Sequence, residues 1–250
     1  MIEARELKKQ FGPQVVLDGV NLRIQKGEAV VILGRSGGGK SVLLKLLIGL
    51  TKPDSGQVLI AGEDITALSE RELIRVRHQF GMLFQGAALF DSMTVAENIG
   101  FAFRRDRSVA PQEITRRVAA ALEMVELSGI EEKKPAELSG GMKKRVGLAR
   151  AIVYQPEIIL YDEPTTGLDP IASDAIDRLI IRVREQLNVT SVVVTHDMRS
   201  ARRVGSRILM LHNKQVHVSG SPDEIFNSTD PVVAQFINGT ADPKEPAAIK

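Results

Sequence analysis

The run Gly34-Arg35-Ser36-Gly37-Gly38-Gly39-Lys40-Ser41 has the spacing GxxxxGK[ST], preceded by the apolar stretch Ala29–Leu33 and followed by a helical pattern over residues 40–50. Residues of these types in this order hold phosphate. Glycines let successive backbone N–H groups turn inward around phosphate oxygens, and the helix N-terminus adds a field that favours anions. In such a loop Lys40 reaches the β- and γ-phosphates of a nucleoside triphosphate and the Ser41 hydroxyl ligates Mg²⁺, with Val42 next along the helix.

A second constellation is Ile158-Ile159-Leu160-Tyr161-Asp162-Glu163, an apolar strand that delivers two adjacent carboxylates at its C-terminal edge, where open α/β sheets bind ligands. Asp162 suits the water shell of a Mg²⁺ ion, and Glu163 suits a general base that polarises an attacking water. His196 follows a valine-rich strand. A neutral imidazole donates one hydrogen bond and accepts another, as a group that positions water must, so His196 is a candidate to approach the γ-phosphate opposite Lys40. His78, His212 and His217 lack such a setting and read as structural.

These residues require a scaffold of alternating strands and helices. Strands are expected over residues 22–24 and 29–33, around the turn Lys26-Gly27, then over 57–60 and 81–84. The helix over 40–50 ends at Thr51 and Pro53, and Ser69 with Glu72 forms a capping box that opens a helix to about Gln79. The block from about 87 to 151 reads as a helical insert. It holds a second capping box, Thr94 with Glu97, the stripe Ile114, Val118, Ala121, Leu122 and Val125, and a helix over about 139–153. Alternation resumes with strands over 158–161, 191–195 and 207–211, and a helix over 170–187 with Asp169 as cap and Pro170 at its first position. Residues 221–227 suggest a short helix. Val232, Val233, Phe236 and Ile237 share one helical face behind the cap Asp230-Pro231, and a loose tail is expected after Gly239.

The totals are those of an ordinary folded chain: 250 residues, 43% hydrophobic, 26% charged, enough for one large core or two closely packed subdomains. No stretch approaches the ~18 consecutive apolar residues of a membrane span. Glu3, Arg5 and Glu6 open the chain without an apolar targeting segment, so a cytoplasmic location is expected. Absence of cysteine excludes disulfides and thiolate metal sites, and the four histidines form no HExxH unit. With a net charge of +2, Lys143-Lys144-Arg145 and Arg202-Arg203 read as solvated helix faces, and nucleic acid is not an expected partner.

Together with Leu138-Ser139-Gly140-Gly141-Met142, these segments resemble the nucleotide-binding subunit of an ABC transporter over about residues 1–225. The resemblance implies an α/β P-loop NTPase fold, with a RecA-like core over about 1–86 and 152–225, a helical subdomain over about 87–151, and a C-terminal extension and tail over 226–250. It implies that ATP and Mg²⁺ are bound, that Phe11 stacks on adenine, and that Gln85 is the Q-loop glutamine touching Mg²⁺ and the attacking water. Ser139, Gly140 and Gly141 resemble the family signature, Gly167-Leu168-Asp169 the D-loop, and His196 the switch histidine. In the family the signature completes the partner's ATP site in a head-to-tail dimer. Ser139-Gly140-Gly141 opens a helix, whose free N–H groups suit a γ-phosphate. Met142 replaces the usual signature glutamine and is left out of the phosphate site.

The run from Met82 to Ile99, the Leu-Ser-Gly-Gly-Met signature and Val233-Ala234-Gln235-Phe236-Ile237-Asn238-Gly239 resemble the Mla-type ATPases. That family energises phospholipid movement between the two membranes of Gram-negative bacteria. The resemblance implies a subunit on the cytoplasmic face of the inner membrane, with a permease, an MCE-type lipid-binding protein and a small STAS-domain protein as partners. Residues 87–90 would meet the permease. The alternatives are an ATPase for amino acids or another small polar solute, and a soluble ABC protein acting on ribosomes or DNA. One set of motifs and no long heptad run speak against the soluble class.

Overall fold

The structure is a computed structural model and describes residues 1–105 and 108–240. In chain order it has β1 (Ile2–Phe11), β2 (Gln14–Ile24), β3 (Ala29–Leu33), α1 (Lys40–Leu47), β4 (Ser55–Ile60), β5 (Glu63–Asp64), α2 (Glu70–Arg77) and β6 (Phe80–Leu83). Helices follow: α3 (Val95–Gly100), α4 (Pro111–Met124) and α5 (Gly140–Ile152). Then come β7 (Ile158–Asp162), α6 (Pro170–Leu187), β8 (Thr190–Thr195), α7 (Met198–Val204), β9 (Arg207–His212), β10 (Gln215–Gly220), α8 (Pro222–Phe226) and α9 (Pro231–Asn238).

Two sheets carry the chain. An antiparallel sheet has the order β2-β1-β4-β5, and a second sheet the order β10-β9-β3-β8-β7-β6, parallel except for its β10 edge. Side chains of the parallel strands alternate between two cores, because strand side chains point to opposite faces. Val31, Leu33, Ile159, Tyr161 and Val193 face the side covered by α3 to α6, while Val30, Ile32, Ile158, Leu160, Val192 and Val194 face α1 and the antiparallel sheet. Both faces are buried, which is why these strands read as continuous apolar runs.

Several local expectations hold in atomic detail. Ser69/Glu72 and Thr94/Glu97 form complete capping boxes. Asp169 caps α6 by accepting from the N–H groups of Ile171 and Ala172, and Asp230 caps α9 through those of Val232 and Val233. The helix expected over 40–50 stops three residues sooner. Gly49 takes a φ of 68°, and the N–H of Leu50 turns back onto the Lys45 carbonyl. Strands β1, β5 and β10 were not expected. The tail expected after Gly239 lies, beyond Thr240, outside the described residues.

Candidate functional site: a phosphate loop facing an acidic strand end

The site forms where β3 and β7, separated by β8, deliver their C-terminal ends side by side. After β3 the chain must turn sharply into α1, and glycine makes this turn feasible. Gly39 adopts a φ of 91°, and a Cβ there would lie 2.9 Å from Leu17 and 3.0 Å from Val16. A side chain at Gly34 would stand 2.7 Å from the Leu211 carbonyl oxygen. The loop is thus packed against β2 and β9.

Lys40 is almost fully buried at the start of α1. Its Nζ donates to the carbonyls of Gly34 (2.8 Å) and Arg35 (3.0 Å) and lies 3.5 Å from Glu163 Oε1. One residue on, Ser41 Oγ donates to Asp162 Oδ1 at 2.7 Å. The two sequence-predicted constellations, 121 residues apart at that contact, therefore meet directly.

Glu163 sits just past β7 with a φ of 49°, a conformation costly for a non-glycine residue and typical of functional turns. Its N–H donates to Val194 O at 2.9 Å. This twist brings the carboxylate back over the loop, where Oε2 lies 2.8 Å from His196 Nδ1 and accepts from Thr166 Oγ1 at 3.1 Å. A cavity of about 350 Å³ opens beside Lys40, Ser41, Glu163 and His196, without Gly34, Gly38 or Asp162 in its lining. It is lined by Phe11, Val16, Ser36, Gly37, Gly39, Lys40, Ser41, Val42, Gln85, Glu163 and His196. The Phe11 ring is half exposed, with the Lys9 ammonium 5.3 Å from its centroid.

Not every expected residue reaches this cavity. The Arg35 side chain lies in a neighbouring groove with His196 and Phe236 of α9, although its carbonyl holds Lys40. Ser139, Gly140 and Gly141 are absent from the cavity lining and lie elsewhere. Gly140 approaches Leu168 and Gly141 approaches Ala172, so the N-terminus of α5 sits against the start of α6. Ser139 Oγ accepts from the Met142 N–H at 3.2 Å, and the Met142 side chain packs onto the core. His78 and His217 lie outside the site, with His78 edge-on to Tyr154 and His217 bonded to Asp230. His212 borders the neighbouring groove lined by Arg35, not the phosphate cavity.

Two readings of surface residues need correction. Of residues 87–90, Ala87 is buried and Leu89 packs partly into the core, so only Ala88 and Phe90 face outward. Both alanines adopt positive φ. The run Lys143-Lys144-Arg145 is not a solvated face. Lys144 is 6% exposed and donates to the carbonyls of Gln85 and Glu163. Its place in a three-residue basic run conceals it in the sequence.

The Ser41 hydroxyl and the Asp162 carboxylate are hard oxygen donors in contact, a donor pair that fits Mg²⁺, which takes its remaining ligands from phosphate and water. A larger cavity of about 770 Å³ between α6 and α7 contains none of the phosphate-loop residues.

A strand feeding a glycine loop and its lysine, faced by an acidic pair at the end of β7, is the arrangement that suits a P-loop nucleotide site. Residues 17–166 match the ABC transporter family. The chain is 44% identical over 238 residues to the probable ribonucleotide transport ATP-binding protein mkl of Mycobacterium leprae, covering 95% of this chain and 69% of that protein. It is 40% identical over 242 residues to the intermembrane phospholipid transport system ATP-binding protein MlaF of Haemophilus influenzae, covering 97% of this chain and 92% of that one. The dimeric post-hydrolysis state of the ATP-binding cassette MJ0796, bound to ADP and Pi, superposes with a TM-score of 0.81 at 35% identity, covering 89% of this chain and 99% of that one. The chain belongs to the ABC transporter ATP-binding family. It binds and hydrolyses ATP in the service of transport, and cassettes of this kind pair as dimers and work with permeases. No helix among the described residues is long and apolar enough to cross a membrane.

Proposed function

We propose that this chain powers phospholipid movement between membranes, as the ATP-hydrolysing half of a homodimer held on the cytoplasmic face of the inner membrane by a permease. The observation that carries the substrate is the 40% identity, through 97% of this chain, to the intermembrane phospholipid transport ATP-binding protein of H. influenzae. The chain spans 66% to 69% of the length of the mycobacterial relatives. An MCE-type lipid-binding protein and a STAS-domain protein are the further partners of this reading.

In the proposed mechanism Phe11 stacks on adenine while the N–H groups of residues 34–41 surround the phosphates. Lys40 exchanges the Gly34 and Arg35 carbonyls for the β- and γ-phosphates, and with them leaves Glu163. Ser41, Asp162 and Gln85 would hold Mg²⁺, whose charge neutralises developing charge on the phosphate oxygens. Glu163, now free of Lys40, accepts a proton from the water that attacks the γ-phosphorus, and His196 orients that water. The bond from the γ-phosphorus to the bridging oxygen breaks, giving ADP and inorganic phosphate. Ser139, Gly140 and Gly141 are assigned to the partner's γ-phosphate, since they lie outside their own subunit's cavity and open a helix of 13 residues.

For the permease contact we propose the outward pair Phe90 and Phe101, whose ring centroids are 4.5 Å apart, with Ile74 near an adjoining groove of about 390 Å³. The helical subdomain is assigned to residues 87–151 and the C-terminal extension to 226–250. Reconstituting the purified membrane complex into liposomes and following ATP-dependent transfer of a fluorescent phospholipid tests the substrate. Transfer that stops with Lys40→Ala supports it. ATPase activity stimulated by an amino acid, with no lipid transfer, replaces it with the small-solute reading.

A further inference from the structure

Lys144 lies on α5, five residues beyond the Ser139 cap, and its side chain is buried. Burying an ammonium is expensive unless its protons are bonded. Its protons go to main chain: the Nζ donates to the Gln85 carbonyl in a short contact and to the Glu163 carbonyl at 3.3 Å. Burial lowers the proton affinity of this ammonium, and the negative charges of Asp162 and Glu163 only partly offset that. One side chain of the signature helix thus touches both loops that border the nucleotide cavity.

The same helix grips the Gln85 loop again further along. Arg150 donates to Ala87 O at 2.6 Å and to Ala88 O at 2.7 Å. Between them Gly147 lets the loop approach closely, for a Cβ there would stand 2.9 Å from Leu83 and 3.2 Å from Ala87. Glu163 has the more delicate geometry. Its left-handed backbone is pinned on one side by N–H donation to Val194 and on the other by the Lys144 ammonium at its carbonyl. Loss of either restraint lets the peptide relax and swings the carboxylate away from Lys40 and His196.

We propose that Lys144 is a positioning residue for ATP hydrolysis, its ammonium fixing the Gln85 and Glu163 backbones against α5 so that base, Gln85 loop and signature helix move as one body. The inference rests on the assignment of Glu163 as base. It concerns the transition state and not nucleotide capture, because Lys144 does not line the cavity.

The test uses Lys144→Met and Lys144→Arg in the full-length chain within its membrane complex. Methionine keeps the length and apolar stem without the donors, while arginine keeps the charge and donates to carbonyls. The expected result is a fall in kcat of about ten- to a hundredfold for K144M, the scale of a misplaced catalytic group, with affinity for a fluorescent ATP analogue unchanged. K144R regains most of the rate. Wild-type kcat in K144M, a loss of rate matched by loss of nucleotide affinity, or failure of arginine to restore the rate each overturn the proposal. Glu163→Gln in the same assay reads the base assignment separately: full turnover there removes that assignment, whatever Lys144 does.

Discussion

His196 Nδ1 lies 2.8 Å from Glu163 Oε2, joining the end of β8 to the end of β7 across the mouth of the phosphate cavity. The imidazole is exposed on its outer side and the carboxylate almost wholly buried, so the pair presents one polar edge to an incoming water. Replacement of His196 by Ala leaves the carboxylate in place and removes the group proposed to orient the water. Phosphate release should slow by about ten- to a hundredfold, with ATP affinity little changed. Steady-state ATPase assays beside nucleotide titrations check this, and an unaltered kcat speaks against the role.

Lys40 is held by its own loop beside Glu163, and in the proposed mechanism it exchanges these partners for the nucleotide's phosphates. Lys40→Ala deletes both. Removing one donor aimed at charge that develops in a transition state costs about 10²–10³ in kcat, and hydrolysis by the K40A complex should fall by at least that much. Malachite-green phosphate detection suffices. Equal activity would place the phosphates elsewhere.

Phe90 and Leu89 are neighbours with different fates. The Phe90 ring is 41% exposed, whereas Leu89 packs onto the core. Phe90→Glu should therefore leave the melting temperature nearly unchanged, as surface changes stay within about 0.5 kcal/mol. Leu89→Glu should lower it. Co-purification with the permease should fail for F90E even though the subunit is folded; wild-type recovery of the permease excludes this face as the contact.

Asp177 gives a pH dependence to stability. Burial pushes its carboxyl up to about 6 from 3.8, reinforced by the negative Asp197 and only partly offset by the Ser200 hydroxyl, which donates to Oδ2 at 2.8 Å. The folded state holds this proton where the unfolded chain has released it. The group's contribution is thus fully present below the unfolded value and is lost as pH rises through about 6. Asp177→Asn cannot titrate. Its melting temperature relative to wild type should rise between about pH 4 and pH 8, as thermal scans would show; a constant difference would contradict the assignment.

The chemistry-bearing segments are legible in the sequence because phosphate binding restricts which residues can occupy each place. A loop that must offer its N–H groups inward requires glycine, and its lysine and serine must open the next helix. The caps Asp169 and Asp230 are legible for the same reason, each followed by proline at the first helical position. Strand β1 is not. Ile2, Ala4 and Leu7 face the core, but an irregularity near Glu6, with a φ of 48°, breaks the alternation that would reveal them. Strand β10 is a half-exposed edge with its own irregularity between Val216 and Val218. Lys144 escapes because burial of one cation in a basic run is decided by the approach of two distant loops, which no spacing records.

Helix α9 docks on its own subunit. Val233 is fully buried, and Val232, Phe236 and Ile237 pack on the same core as β9 and α8. Val233→Asp should lower the melting temperature, since a carboxylate placed there has no charge partner among the described contacts. A melting temperature equal to wild type would show that the helix covers nothing.

In the proposed mechanism Glu163 is the base, while the phosphate loop, the Mg²⁺ donors and the signature segment of the facing subunit bind the nucleotide. Glu163→Gln keeps the side chain's size and hydrogen-bonding edge but cannot accept the proton from water. The decisive measurement is single-turnover hydrolysis of radiolabelled ATP by the E163Q membrane complex, alongside its equilibrium ATP affinity. The account predicts wild-type affinity, cleavage slowed by about 10²–10⁴-fold, and accumulation of the ATP-bound dimer. Cleavage at the wild-type rate would contradict it.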